Sequence, residues 1–167
     1  MKRRTFLATA PALAAVALPA RAGWLDLING ARVGQAVDLS PLRYVIAQPA
    51  ADRRLTMLYF WATWCGPCRE DMPLLNALHA SRLDKGLSVV AVTSETEAVV
   101  DRFSAAVPIR LPVGLDSDRV LFKALGVRGI PYSVLVNRAG RSVWVGQREE
   151  LSDTQLDRLL AAGSTAS

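Results

Sequence analysis

Leu55-Thr56-Met57-Leu58-Tyr59-Phe60-Trp61-Ala62-Thr63-Trp64-Cys65-Gly66-Pro67-Cys68 is the stretch on which the reading of this chain turns. Residues Leu55 to Trp61 form an almost unbroken apolar run, which predicts a strand buried on both faces. From Gly66 the period changes. Leu74, Leu75 and Leu78 follow helical spacing, and Lys85-Gly86 marks the expected end of that helix. The two cysteines therefore stand where a buried strand hands over to a helix. A thiol attacks a disulfide as its thiolate, so its pKa must fall toward ambient pH. A helix N-terminus favours that through its unpaired N–H groups and positive dipole end. Gly66 permits a tight turn into the helix, and Pro67 suits a first-turn position. Cys68 falls within the first turn, close enough to Cys65 for a disulfide but less exposed. This predicts a cycle in which Cys65 attacks a partner disulfide, a mixed disulfide forms and Cys68 resolves it.

Two other uses of the pair are weaker. Cys65 and Cys68 are the only cysteines in 167 residues. As a structural staple they would close a tiny loop and constrain little of the unfolded chain. Zinc needs four ligands, and beyond this pair the chain offers only one histidine, His79. No metal and no cofactor is expected.

The remaining chain reads as one domain without repeats. Ala36 to Leu39 suggests a short strand, and Pro41 to Arg54 a longer connection. Leu87 to Thr93 is a second buried strand. Ser94 with Glu97 makes a capping-box pattern ahead of a helical stripe at Val99, Val100 and Phe103. Val107 to Leu115 reads as a loop with a short strand, and Asp118 to Leu125 as a short helix stopped by Gly126. Tyr132–Val136 and Ser142–Val145 form a hairpin across Asn137-Arg138-Ala139-Gly140. Ser152 with Gln155 caps a last helix, with Leu151 and Leu156 placed as a hydrophobic staple. The order β-α-β-α-α-β-β-α implies parallel strands with an antiparallel edge.

The first residues read differently. Lys2, Arg3 and Arg4 precede an apolar, alanine-rich run from Phe6 to Leu18, and Ala20-Arg21-Ala22 fits a cleavage site. That predicts a secretory signal over residues 1–22, with Gly23 as the first mature residue and residues 23–167 as the domain. Arg3-Arg4-Thr5-Phe6-Leu7 resembles the twin-arginine export motif. Export points to the periplasm or cell exterior. The chain carries 20 basic and 15 acidic side chains, formally +5. Four of the basic ones lie in the signal and no acid does, so the domain keeps 16 against 15, or +1. The excess charge is thus a property of the export segment and does not argue for nucleic-acid binding.

With Trp64-Cys65-Gly66-Pro67-Cys68, Pro73 five residues after Cys68, and Gly129-Ile130-Pro131 before a strand, the chain resembles the thioredoxin superfamily. Within it the match is to the exported TlpA-like branch, which includes ResA-like and cytochrome c maturation thioredoxins. The resemblance runs from about Val37 to the C-terminus. It implies an α/β thioredoxin-like fold, a central mixed β-sheet flanked by helices. It also implies that Pro131 follows a cis peptide bond and that the backbone of Ile130 pairs with an extended substrate segment. Trp64, Gly66, Pro67, Ile130 and Pro131 are then the substrate-binding residues, and Cys65 and Cys68 the catalytic ones.

One departure matters. Cytosolic thioredoxins carry an acid in the first strand six residues before the first cysteine, and here that position is Tyr59. The TlpA-like branch instead has an acid three residues after the second cysteine, which is Asp71 here. Asp71 is a candidate to exchange a proton with Cys68; it reads equally well as a surface acid favoured by a helix N-terminus. Glu95 and Glu97 read as helix-start acids, with Glu95 near the rim of the site. His79 reads as a surface or boundary residue rather than a ligand. Trp64 is placed to shape a docking surface, whereas Trp61 packs.

The resemblance implies a periplasmic, monomeric reductant of protein disulfides. The Gly-Pro dipeptide is that of thioredoxin, a reductant of about −270 mV. Its implied partners are a disulfide-containing protein such as apocytochrome c and a membrane dithiol donor of the DsbD or CcdA type. The alternatives are a thiol oxidase, or a non-catalytic module that binds metal or client proteins.

Overall fold

A computed structural model describes residues 29–162. The expected signal segment and Gly23 lie outside the described residues. Six strands form one sheet: β1 (Arg43–Val45), β2 (Leu55–Phe60), β3 (Leu87–Thr93), β4 (Val113–Leu115), β5 (Tyr132–Asn137) and β6 (Ser142–Gly146). Their spatial order is β1-β4-β3-β2-β5-β6. β2 and β3 run parallel at the centre and β3 is parallel to β4, whereas β5 is antiparallel to both β2 and β6. The helices are α1 (Gly66–Arg82), α2 (Glu97–Ala106), α3 (Val120–Ala124) and α4 (Asp153–Ala162). The expected mixed sheet flanked by helices is what forms.

Two-residue alternation along the strands divides the core. Leu55, Met57, Tyr59 and Trp61 share one face with Leu87, Val89 and Leu135, against Met72 and Leu75 of α1, Val100 of α2 and Leu156 and Leu160 of α4. Leu58 and Phe60 share the other with Val90, Val92 and Val134, against Leu121 and Phe122 of α3 and against Ala31 and Val37. Every residue of β2 and β3 is buried, which explains their continuous apolar runs. Burying a side chain such as Met72 or Leu75 fully stabilises the fold by roughly 1.5–3 kcal/mol.

Several local expectations change. Ala36 makes only an isolated antiparallel bridge to Arg141, because the 34–37 segment bonds to the hairpin at single points. A three-residue strand, β1, lies instead inside the expected connection, paired antiparallel to β4. The antiparallel pairing of the hairpin also reaches inward, since β5 borders central β2. Ser94 and Glu97 do not form a capping box. Helix α2 starts at Glu97 after Thr96, which makes no side-chain cap bond. Glu95 is drawn back to Thr63, and Ser94 Oγ accepts from Arg119. Helix α3 starts at Val120 because Asp116, rather than Asp118, accepts from the Val120 and Phe122 N–H groups. At α4, Ser152 Oγ accepts from Gln155 N at 3.2 Å, as the sequence suggests.

Candidate active site

Cys65 is the N-cap of α1, with extended backbone, and Gly66 and Pro67 are the first two helical residues. The chain arrives there directly from β2. Trp61 N still bonds to Val92 O, and Cys65 N closes a turn onto Ala62 O. Cys65 and Cys68 are joined as a disulfide, S–S 2.06 Å, with their Cα atoms 5.3 Å apart. Cys65 Sγ also accepts from the Cys68 N–H at 3.3 Å, so the sulfur stands where a helix start leaves its donors unpaired. Cys65 keeps 5% exposure and Cys68 none. Of the two residues, the first thus keeps a small exposed area, and the second is enclosed within α1.

Trp64 stands beside them, 75% exposed. The Ile130–Pro131 peptide bond is cis. Trp64 and Ile130 line one cavity of about 100 Å³ with Trp61, Phe122 and Val127. The loop before Pro131 is tied down by Asn29. Its Oδ1 accepts from Arg128 N at 2.6 Å and Gly129 N at 3.0 Å, and its Nδ2 donates to Gly129 O. Asn29 can reach because Gly30 and Gly126 approach backbone to backbone; a Cβ at Gly126 would sit 3.0 Å from Gly30 Cα.

Glu95 has a larger part than its place at a helix start suggests. One carboxylate oxygen accepts from Thr63 N and the other from Thr63 Oγ1, both at 2.7 Å. The carboxylate thus clamps the loop two residues before Cys65 onto the end of β3. Thr93 Oγ1 completes the arrangement by accepting from Glu95 N. Nothing in the local pattern around Glu95 marks this partner, 32 residues distant.

Asp71 lies on α1 one turn beyond Cys68, with its side chain 15% exposed. Its Oδ2 accepts from Tyr59 OH at 2.7 Å. Its Oδ1 lies 3.5 Å from Arg148 Nε, an ion-pair contact without hydrogen-bond geometry. Asp71 is therefore not a free surface acid. Tyr59 is fully buried on the core face that also holds Cys68 and Met72. Burial, and then the hydrogen bond to Asp71, hold the phenol far above its ordinary pKa, so it remains a donor. The strand position that carries an acid in cytosolic thioredoxins here carries a hydroxyl that anchors the acid of the helix.

His79 is indeed a boundary residue. Its Nδ1 accepts from Val89 N at 3.1 Å, and partial burial lowers its pKa. Ala91 N bonds to Pro112 O beside β4, and two residues earlier Val89 N lies beyond the reach of that strand; the imidazole takes the strand's place.

The Redoxin family profile matches residues 34–160. The thiol–disulfide oxidoreductase ResA of Bacillus thuringiensis subsp. konkukian (strain 97-27) is 32% identical over 104 residues, covering 62% of this chain and 60% of that protein. ResA of Bacillus subtilis (strain 168) is 34% identical over 89 residues, 53% of this chain and 50% of the relative. The match thus spans about half to three-fifths of the length of these curated relatives. Among solved structures, the putative thiol:disulfide interchange protein DsbE from Chlorobium tepidum superposes with a TM-score of 0.62 at 27% identity, covering 80% of this chain and 98% of that one. StoA from Bacillus subtilis superposes with a TM-score of 0.53 at 28% identity, covering 64% of this chain and 81% of the other.

Proposed function

The chain belongs to the Redoxin family, within the thioredoxin superfamily and similar to ResA, and on that premise we propose that it exchanges thiols and disulfides through Cys65 and Cys68. The observation that carries this is the disulfide at the start of α1, its first cysteine slightly exposed and its second fully enclosed. In the reduced protein the Cys65 thiolate attacks one sulfur of a partner disulfide. A mixed disulfide forms, and the displaced partner sulfur takes up a proton. Cys68 then passes its proton to Asp71 and attacks the Cys65 sulfur. The Cys65–Cys68 bond closes and the second partner thiol leaves protonated. Two electrons and two protons reach the partner. Trp64 and the Ile130–Pro131 loop supply the docking surface, with the backbone of Ile130 available to an extended segment.

The physiological direction in this proposal is reduction, in the periplasm. Its support is the Gly66-Pro67 dipeptide, shared with thioredoxin, and the export pattern of residues 1–22. Substrates are oxidised cysteine pairs of exported proteins, apocytochrome c among them, and a membrane dithiol donor of the DsbD or CcdA type restores the reduced form. The test is mixed-disulfide trapping with Cys68→Ser in cells. Capture of apocytochrome and a membrane dithiol donor supports the proposal. Capture of newly exported, unoxidised proteins reverses the direction to a thiol oxidase. A Cys65→Ser protein that still reduces insulin disulfides would remove the dithiol from the chemistry altogether.

A further inference from the structure

The cavity beside Trp64 carries charge that thiol chemistry leaves unused. Glu95, Arg119 and Arg128 line it together with the apolar walls. Glu95 is already engaged by Thr63. Neither arginine makes an ion pair with a carboxylate among the described residues. Arg119 is held in place all the same. Its guanidinium lies 4.6 Å from the Phe122 ring centroid, and Nη1 donates to Ser94 Oγ at 3.3 Å. Its backbone adopts a φ of 56°, a left-handed conformation uncommon for a residue with a Cβ. Asp116 supports that conformation: its carbonyl accepts from Arg119 N, while its carboxylate binds the N–H groups of Val120 and Phe122. Arg128 is anchored through its backbone N–H by Asn29, and its side chain remains exposed. A guanidinium keeps its charge at any physiological pH, and its planar fork matches a carboxylate.

We propose that this cavity selects disulfide partners that carry Asp or Glu within two residues of the reacting cysteine, the carboxylate seating between Arg119 and Arg128. The proposal rests on the thiol–disulfide exchange reading and specifies the partner for it. A cavity of about 100 Å³ suits one side chain, and its apolar walls cover the methylene stem of Glu. A partner segment extended beside Ile130 alternates its side chains, so positions close to its cysteine are the ones within reach. Opposite charge accelerates encounter and salt weakens the effect. A lysine at the same place meets two guanidinium groups and is disfavoured.

The test uses the full chain carrying Cys68→Ser and short peptides whose single cysteine is activated as a mixed disulfide with thionitrobenzoate. Attack by Cys65 transfers the peptide to the protein and releases coloured thionitrobenzoate. Peptides differ only in having Glu, Gln or Lys at the positions one and two residues either side of the cysteine. At low salt the Glu peptides should react about tenfold faster than the Lys peptides, falling to about twofold in 0.5 M NaCl. Arg119→Gln and Arg128→Gln should each cut the preference to about threefold or less, with Arg119→Lys restoring most of it. Arg138→Gln, in the turn at the opposite end of the sheet, should leave it intact. Equal rates for Glu and Lys peptides overturn the proposal, as does a preference that survives Arg119→Gln with Arg128→Gln or is lost equally in Arg138→Gln. Failure of Cys65 to react with any peptide, or with the thionitrobenzoate dimer itself, would refute thiol exchange rather than this selectivity.

Discussion

Replacing Tyr59 by Phe removes one oxygen from a side chain that is otherwise fully enclosed, so the ring still fills its place in the core. What disappears is the 2.7 Å hydrogen bond to Asp71 Oδ2. A hydrogen bond to a charged acceptor contributes roughly 1.5–3 kcal/mol. Asp71 is 15% exposed, so water replaces the donor only in part, and the low end of that range applies. About 1.4 kcal/mol corresponds to a factor of ten in rate. If Asp71 takes the Cys68 proton from a position that this bond fixes, the resolving step slows by up to about tenfold. Stopped-flow reaction of the reduced protein with the thionitrobenzoate dimer separates the two steps. Release of the first thionitrobenzoate is second-order and reports Cys65, whereas release of the second is unimolecular and reports Cys68. The Tyr59→Phe protein should show an unchanged first phase and a second phase slowed by up to about tenfold. Its urea midpoint should fall at unchanged slope, reflecting a loss of about 1–2 kcal/mol. A second phase as fast as that of the parent protein would refute a role for Tyr59 in positioning the proton acceptor.

Glu95→Gln releases the charged clamp on Thr63, so attack by Cys65 should slow several-fold while the second phase is spared, with about 1–2 kcal/mol of stability lost; an unaltered first phase would show that the loop holds itself. His79 gives a pH dependence of stability. Its folded pKa lies below the unfolded value of about 6.5, so the unfolded chain binds the proton more readily. Stability is complete above about pH 6.5 and declines as pH falls from there through the lower folded value. Urea midpoints of the parent and His79→Gln proteins between pH 7.5 and 5 should converge as pH drops, and parallel curves would count against the Nδ1 hydrogen bond to Val89.

Most of the central sheet and the dithiol junction are legible in the chain because each leaves a local signature. β2 and β3 are buried on both faces and therefore read as continuous apolar runs. A helix that starts on Cys65 needs only Gly66 and Pro67 beside it. β1 escapes notice because three residues at an edge make no pattern of their own and are strands only by pairing with β4. Asn29 and the Glu95 clamp escape for a related reason. Each is a polar side chain whose partners are backbone groups or hydroxyls in another segment, and such a bond imposes no periodicity on the residues around it.

By itself, the sequence determined where the cysteine pair sits, at a helix start directly after a buried strand, since helix capping depends on immediate neighbours. Only the tertiary structure decided what surrounds that pair. Asp71 could be read from the chain as a surface acid or a proton partner with equal right. That it is enclosed rather than free at the surface depends on Tyr59 reaching it from the strand below and Arg148 from beyond β6. Those approaches arise from packing α1 onto the sheet, a long-range event that no spacing within the helix records.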